Sequence, residues 1–224
     1  MQLVAYWELG AAACRRGNME YKTIAERCEA RFVEKKSEFI GYLAPVMDEE
    51  QAIAFVNEIR AEHRKATHNC YAYILRENTI CRHSDDGEPS GTAGVPIFEV
   101  LRKAELTDAV CVVTRYFGGI MLGAGGLVRA YTRGARDAVD SAKIRVMAMS
   151  VELRISLDYA LYGRLPQFFA QFDARVESEE FSQNVEIVLR VREELAESLK
   201  SALIDACNGK IVVEFVQKSW YDFA

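Results

Sequence analysis

No stretch of this 224-residue chain is apolar for long enough to cross a bilayer. The longest apolar runs, such as Ala109 to Val113, fall far short of the ~20 residues that a spanning helix needs. The six cysteines, at 14, 28, 70, 81, 111 and 207, contain no C-x-x-C pair and no framework spacing. Neither a disulfide scaffold nor a zinc cluster is therefore indicated, and a reducing cytoplasm fits this cysteine usage. The sequence has no G-K-[ST] phosphate loop, no G-x-G-x-x-G dinucleotide fingerprint, no D-x-D-x-D-G calcium loop and no G-x-S-x-G elbow. It also lacks an excess of positive charge: 28 basic residues face 33 acidic ones, net −5, which excludes coating nucleic acid by charge alone and leaves room for a local basic face. What is present, half apolar and 27% charged residues, is the profile of a soluble globular protein.

Residues 1–18 are set aside from the fold. Leu3 to Leu9 followed by Ala11, Ala12, Ala13 and Cys14 looks like a lipoprotein signal, but no basic region precedes it and Glu8 interrupts it. Met19-Glu20-Tyr21-Lys22 reads as a start, with the upstream stretch an extension or a mis-called initiation.

The remaining chain reads as two modules, residues 19–145 and 150–218, in an α+β protein. Residues 1–149 hold 20 basic and 20 acidic residues, whereas 150–224 hold 8 and 13, so the acidic balance belongs to the C-terminal third and Lys143 to Ser150 is the natural seam. Beyond it Val151, Leu153, Ile155 and Leu157 alternate with polar residues, as in a half-buried strand. Leu161, Leu165, Phe168, Phe169 and Phe172 recur at helical spacing, and two strands follow around the turn Ser182-Gln183-Asn184. Leu195, Leu199 and Leu203 mark a second helix ended by Asn208-Gly209, and a last strand runs through Ile211, Val213 and Phe215. This βαββαβ order is ferredoxin-like. In the N-terminal module, strands are expected around Arg31 to Val33 and Phe39 to Val46. Asp48 caps a helix with Gln51 reaching back and with Ile53, Val56 and Ile59 as its buried stripe. A strand at Cys70 to Leu75 turns through Glu77-Asn78 to a partner at Thr79 to Arg82. Pro96 to Lys103 looks helical, and Ala109 to Thr114 is a strand covered on both faces.

Two segments can carry chemistry. The first, His83 to Gly94, holds His83, Asp85, Asp86, Glu88, Ser90 and Thr92, too polar to be core. Its acids suit a hard cation, its backbone and hydroxyls suit an anion, and a structured surface loop is the third reading. The second segment, Arg115 to Tyr131, places Gly118, Gly119, Gly123, Gly125 and Gly126 at a strand-loop-helix junction, where free N–H groups favour an anion such as phosphate. On the helix that follows, Leu127, Tyr131, Ala135, Ala138 and Ala142 form an apolar stripe. Arg129, Arg133 and Arg136 fall within about 60° on the other side. Asp137 and Asp140 stand four residues after Arg133 and Arg136 and can pair with them; Arg129 has no acid at that spacing. Residues 102–145 carry 8 basic and 4 acidic residues, a net +4. Tyr116, Phe117 and Tyr131 stack on bases if exposed and pack the core if not.

These segments resemble the signature of the YigZ/IMPACT family: Lys36-Ser37-Glu-Phe, His68-Asn-Cys-Tyr-Ala-Tyr73, His83 to Pro96, Val113-Thr-Arg-Tyr-Phe-Gly-Gly119 and Leu122 to Tyr131. The resemblance covers about residues 20–142, and the C-terminal module is similar to the small domain of bacterial members. It implies an N-terminal fold shared with a ribosomal small-subunit protein domain, domain 2 of RNase PH and domain IV of elongation factor G, and a C-terminal fold like the last domain of that factor. In eukaryotic relatives it implies translation control, through the activator of the kinase that senses uncharged tRNA and through a different N-terminal domain that is not expected here. No settled activity comes with the bacterial branch.

The leading expectation is a non-catalytic, cytoplasmic module that contacts RNA, the ribosome or translation factors, with no cofactor, no metal and no membrane involved. Arg115, Arg129, Arg133, Arg136 and the five glycines would be its contact residues. Two alternatives stand beside it: a hydrolase-type enzyme using the polar loop and the glycine junction, which requires that loop and Arg115 to converge on one pocket, and a protein-interaction module based on the acidic C-terminal part.

Overall fold

The computed structural model describes residues 20–76 and 80–223. The extension read at 1–18 and the turn read at Glu77-Asn78 lie outside these residues. The protein is a two-domain α+β structure whose compact units meet between Arg145 and Val146.

The first unit runs β1 (Glu20–Ile24), β2 (Cys28–Glu34), β3 (Ser37–Pro45), α1 (Glu49–Glu62), β4 (His68–Ile74), β5 (Cys81–Ser84), α2 (Gly94–Lys103), β6 (Ala109–Tyr116) and α3 (Ala124–Ser141). Its sheet has the order β2-β3-β6-β4-β5, with every neighbouring pair antiparallel. β6 lies at the centre, and Ala109 to Val113 are fully buried, as a near-continuous apolar run requires when both faces are covered. Cys111 and Val113 look toward α2 and α3 in one core, with Phe39, Leu43, Ile97, Leu101, Leu127 and Tyr131. Val110 and Val112 look toward α1 in the other, with Ile40, Tyr42, Phe55, Val56 and Ile59. The period of two along the strand thus divides its residues between two cores.

Local rules explain the helix starts. Asp48 accepts the Gln51 N–H at 2.8 Å, and Gln51 Oε1 accepts the Met47 N–H, one residue further back than a simple capping box places it. The buried stripe of α1 is Ala52, Phe55, Val56 and Ile59, whereas Ile53, expected inside, is exposed because it stands about 100° round the helix from Ala52. α2 begins at Gly94, two residues before the expected Pro96, because a carboxylate in the loop that leads into it caps it. β5 lies at Cys81–Ser84, displaced toward the C-terminus from the expected partner strand.

The second unit follows β7 (Ile144–Leu157), which carries the chain through the expected seam as strand. Then come α4 (Tyr159–Tyr162), α5 (Pro166–Gln171), β8 (Arg175–Phe181), β9 (Val185–Arg192), α6 (Glu193–Ala206) and β10 (Ile211–Asp222). β10 and β9 flank β7, and β8 pairs with β9, the ferredoxin-like order β10-β7-β9-β8. The single helix expected from Leu161 to Phe172 is two short ones. Gly163 ends the first, and Pro166, without an N–H to continue the ladder, sits in the first turn of the second. Leu165 and Phe169 still reach the core, with Leu153, Ile155, Ile187, Leu189, Leu199 and Leu203. α6 ends as its Asn-Gly pair predicts: Gly209 has φ 74° and its N–H donates to Ile204 O.

Candidate functional site

The polar loop between β5 and α2 is wound inward, and its acids are divided among separate tasks. Asp85 accepts backbone N–H groups from Gly91, Ala93 and Gly94 at 2.8, 3.0 and 2.8 Å, so it caps α2 from eight or nine residues upstream. Burial alone raises its pKa, but these three N–H groups outweigh burial and hold it below the usual carboxylate value. Asp86, at φ 44°, takes Arg60 on one oxygen and the Asn69 N–H on the other. Glu88 turns into the core, where its Oε1 accepts Arg115 Nη1 at 2.6 Å and the Tyr131 hydroxyl at 2.8 Å. Thr92 donates its hydroxyl to Pro89 O, while His83 and Ser90 face solvent.

Asp85, Asp86 and Glu88 therefore point apart, and no group of three potential metal ligands occurs among the described residues. The polar loop and Arg115 do converge, but on each other. Arg115 and Glu88 are 5% and 8% exposed, so their pair is interior rather than the wall of an open pocket. Arg115 thus stands apart from the surface arginines with which the sequence groups it. Around the pair lie His68, whose Nε2 is 3.9 Å from Glu88 Oε2, and Cys70, whose thiol donates to Asp85 O and is pushed up in pKa by burial. Burial likewise raises Tyr131, which stays protonated and donates. Every segment of the sequence signature places a side chain here, the one that opens with the lysine-serine turn through Phe39, whose ring centre lies 5.6 Å from the Arg115 guanidinium. The turn makes its contribution at the surface.

The strand ends build that surface. In the antiparallel register Glu38 faces Tyr116 and His68 faces Arg115, so the β2–β3 turn, the end of β6 and the approach to β4 share one end of the sheet. There the Phe117 N–H donates to Thr67 Oγ1 at 3.0 Å and the Gly118 N–H to Ser37 Oγ at 3.2 Å. A Cβ on Gly118 would lie 1.9 Å from Lys36 O, so glycine is what lets this loop lie against the turn. Gly119 and Gly123 take positive φ of 84° and 73° in open space, and Gly126 packs against Leu122. Arg129 reaches back toward Gly125 in the first turn of α3, a helix with neither a side-chain cap nor an acid at its start.

Phe117 is 48% exposed, and Ile120 and Met121 are exposed beside it in sequence. Lys35 and Lys36 on the turn, Arg64 and Lys65 ahead of Thr67, and Arg129 are exposed cations with no ion pair among the described residues. Arg133 lies over the Phe32 ring and pairs with Asp137 at 3.4 Å. Arg136, further along the helix, lines a groove between α2 and α3 with Glu99 and Asp140. The four cations of the two turns escape sequence reasoning because only the sheet register brings them beside Phe117. The K-S-x-F text is the one available hint.

The capping carboxylate gives a measurable pH effect. Because its folded pKa is lowered, Asp85 stabilises the fold fully above its ordinary value of 3.8 and loses that contribution as pH falls through the lower folded value. Asp85→Asn is expected to cost ~1–2 kcal/mol at neutral pH, in urea denaturation. The difference from wild type should shrink as pH falls below 3.8 and the wild-type carboxylate takes up a proton; a gap undiminished by acid would contradict the assignment.

A two-domain α+β protein with a buried ion pair behind a basic, glycine-rich surface is the class that the fold defines. Comparison with known proteins then supplies the family. Residues 35–139 match the Impact N-terminal domain, and residues 155–210 match a domain of unknown function. The chain is 39% identical to the IMPACT family member YvyE of Bacillus subtilis over 85% of its own length and 88% of that protein. It is 36% identical to the IMPACT family member YigZ of Escherichia coli, over 70% and 78% of the two chains. Protein IMPACT of Xenopus laevis is 35% identical over 40% of this chain and 30% of its own. A crystal structure of a hypothetical protein superposes with a TM-score of 0.57 at 29% identity, covering 88% of this chain and 98% of that one. The chain belongs to the IMPACT family. No helix among the described residues is long and apolar enough to cross a membrane.

Proposed function

We propose that this IMPACT family member is a non-catalytic cytoplasmic module that contacts RNA in the translation machinery through the basic end of its first unit. The observation that carries the reading is a set of five exposed cations in a protein of net charge −5: Lys35, Lys36, Arg64 and Lys65 on the two segments that touch the Phe117–Gly118 backbone, and Arg129 on the helix that follows this loop. Charges without acidic partners, concentrated in one place against the overall balance, suit a polyanion. The translation role that the resemblance implies for eukaryotic relatives agrees with this ligand class. The enzyme alternative needs the polar loop and Arg115 to flank an open pocket; the Glu88–Arg115 pair uses both groups internally.

Fluorescence anisotropy with a labelled RNA tests the reading. Three phosphate contacts, at a single-strand slope of about −0.7 each, weaken binding roughly 20-fold between about 50 and 200 mM salt. Lys36→Glu with Arg129→Glu is expected to abolish binding at the lower salt while the thermal melt stays unchanged. Retention equal to wild type at both salt concentrations would retire the proposal.

A further inference from the structure

An exposed aromatic ring by itself needs no explanation. Phe117 differs in how firmly the fold holds it. Its own N–H is tied to Thr67, the next N–H to Ser37, and the following backbone lies so close to Lys36 that only glycine fits at 118. Beneath it the Arg115 guanidinium lies 5.4 Å from the ring centre and 5.6 Å from that of Phe39. Arg115 Nε has no hydrogen-bond partner, although the side chain is buried. A cation placed against aromatic faces is stabilised by their quadrupoles, which accounts for a guanidinium left partly unbonded here. Arg115 is in turn fixed by Glu88, and Glu88 by Tyr131 on α3. The chain of contacts from α3 through Glu88 and Arg115 ends on a ring that is nearly half open to solvent, in a loop that touches Lys36 and Thr67, the residues beside which Lys35, Arg64 and Lys65 stand in the chain.

We infer that Phe117 is a stacking platform for an unpaired base of single-stranded RNA, with the flanking phosphates held by the cations of the two turns. This inference rests on the RNA reading above and narrows it. A rigid ring can take a base face only where that face is free; in a duplex each face is already covered by the next base pair. Ring and cation together are the arrangement that single-strand binders use, and stacking of one base changes affinity by roughly tenfold. Glu88 and Arg115 are then positioning residues, which set the ring without touching the ligand.

The experiment compares one unstructured RNA strand with the same strand annealed to its complement, using the full chain as wild type, Phe117→Leu and Phe117→Trp. Wild type is expected to bind the single strand roughly tenfold more tightly than the duplex. Phe117→Leu should lose that preference while its weak duplex binding stays unchanged, and Phe117→Trp should keep it. A 2-aminopurine in the strand should be quenched by wild type and Phe117→Trp but not by Phe117→Leu. If Phe117→Leu binds the single strand as tightly as wild type, and wild-type binding remains salt-dependent, the platform is refuted and the RNA reading stands. If wild type binds neither RNA at low salt, both fall.

Discussion

Glu88→Ala is expected to lower the stability of the first unit by ~3–5 kcal/mol, because it leaves the Arg115 charge in the core without a counter-ion. Arg115 is 5% exposed, its Nε has no hydrogen-bond partner, and its one carboxylate partner is Glu88. The Tyr131 hydroxyl, fully buried, would lose its acceptor in the same substitution. At the few degrees per kcal/mol usual for a unit of this size, the melting transition should fall by roughly 10–20 °C. Removing both charges, as Glu88→Leu with Arg115→Met, should recover most of the loss, since an apolar pair of similar volume avoids the desolvation cost that the ion pair carries. Calorimetry of the three proteins decides the matter: a Glu88→Ala transition within a degree or two of wild type would mean that the pair is not holding this core together. The recovered double variant also separates stability from function. It should melt well above Glu88→Ala, short of wild type by the acceptor that Tyr131 still lacks, and bind single-stranded RNA less well than its stability accounts for, because an uncharged thioether side chain at position 115 cannot hold the Phe117 ring as a guanidinium does.

The helix-and-strand order of both units is legible in the sequence because it rests on periodicity. Val151 to Leu157 alternates, Leu195, Leu199 and Leu203 fall on one face, and Ala109 to Val113 is apolar throughout; in each case the pattern is a property of the residues themselves. Where several readings are equally local, the fold depends on partners that sequence does not show. Asp85 reads like any loop acid until the backbone of Gly91, Ala93 and Gly94 is brought to it. Arg115 reads as a companion of Arg129, since both adjoin glycine-rich text, but strand parity turns it to the face of β6 that packs against α3. Tyr131 and Phe117 are equivalent in sequence as aromatic residues near the junction; one is fully buried and the other nearly half exposed. The turn with Lys35 and Lys36 and the one with Arg64 and Lys65 lie some thirty residues apart and at least fifty from Phe117 along the chain, so their proximity to it is information held only in the sheet register.

Gly41→Ala is expected to destabilise the first unit by roughly 3 kcal/mol, the upper end of what one added carbon costs in a packed core. Gly41 sits in the middle of β3, paired with Ala30 on β2 and Val113 on β6, and α3 crosses directly over it. A Cβ there would lie 2.2 Å from Gly134 O and 2.9 Å from Gly134 C, both atoms of the α3 backbone, so no side-chain rotation can relieve the overlap. Gly134 is required from the other side, since its own Cβ would meet Val113 Cγ1 at 2.9 Å. The two glycines together set the helix-to-sheet distance. Alanine is a better strand residue than glycine by roughly 0.5–1 kcal/mol, which offsets only part of the overlap. Gly163→Ala serves as the control: its φ of −61° suits alanine and nothing lies within 4 Å of the added carbon, so that variant should be neutral or slightly more stable. Because α3 carries both Tyr131, which fixes Glu88, and Arg129, lifting it from β3 should weaken RNA binding even at temperatures where Gly41→Ala remains folded. A Gly41→Ala protein with wild-type stability would show that α3 does not lie this close to β3.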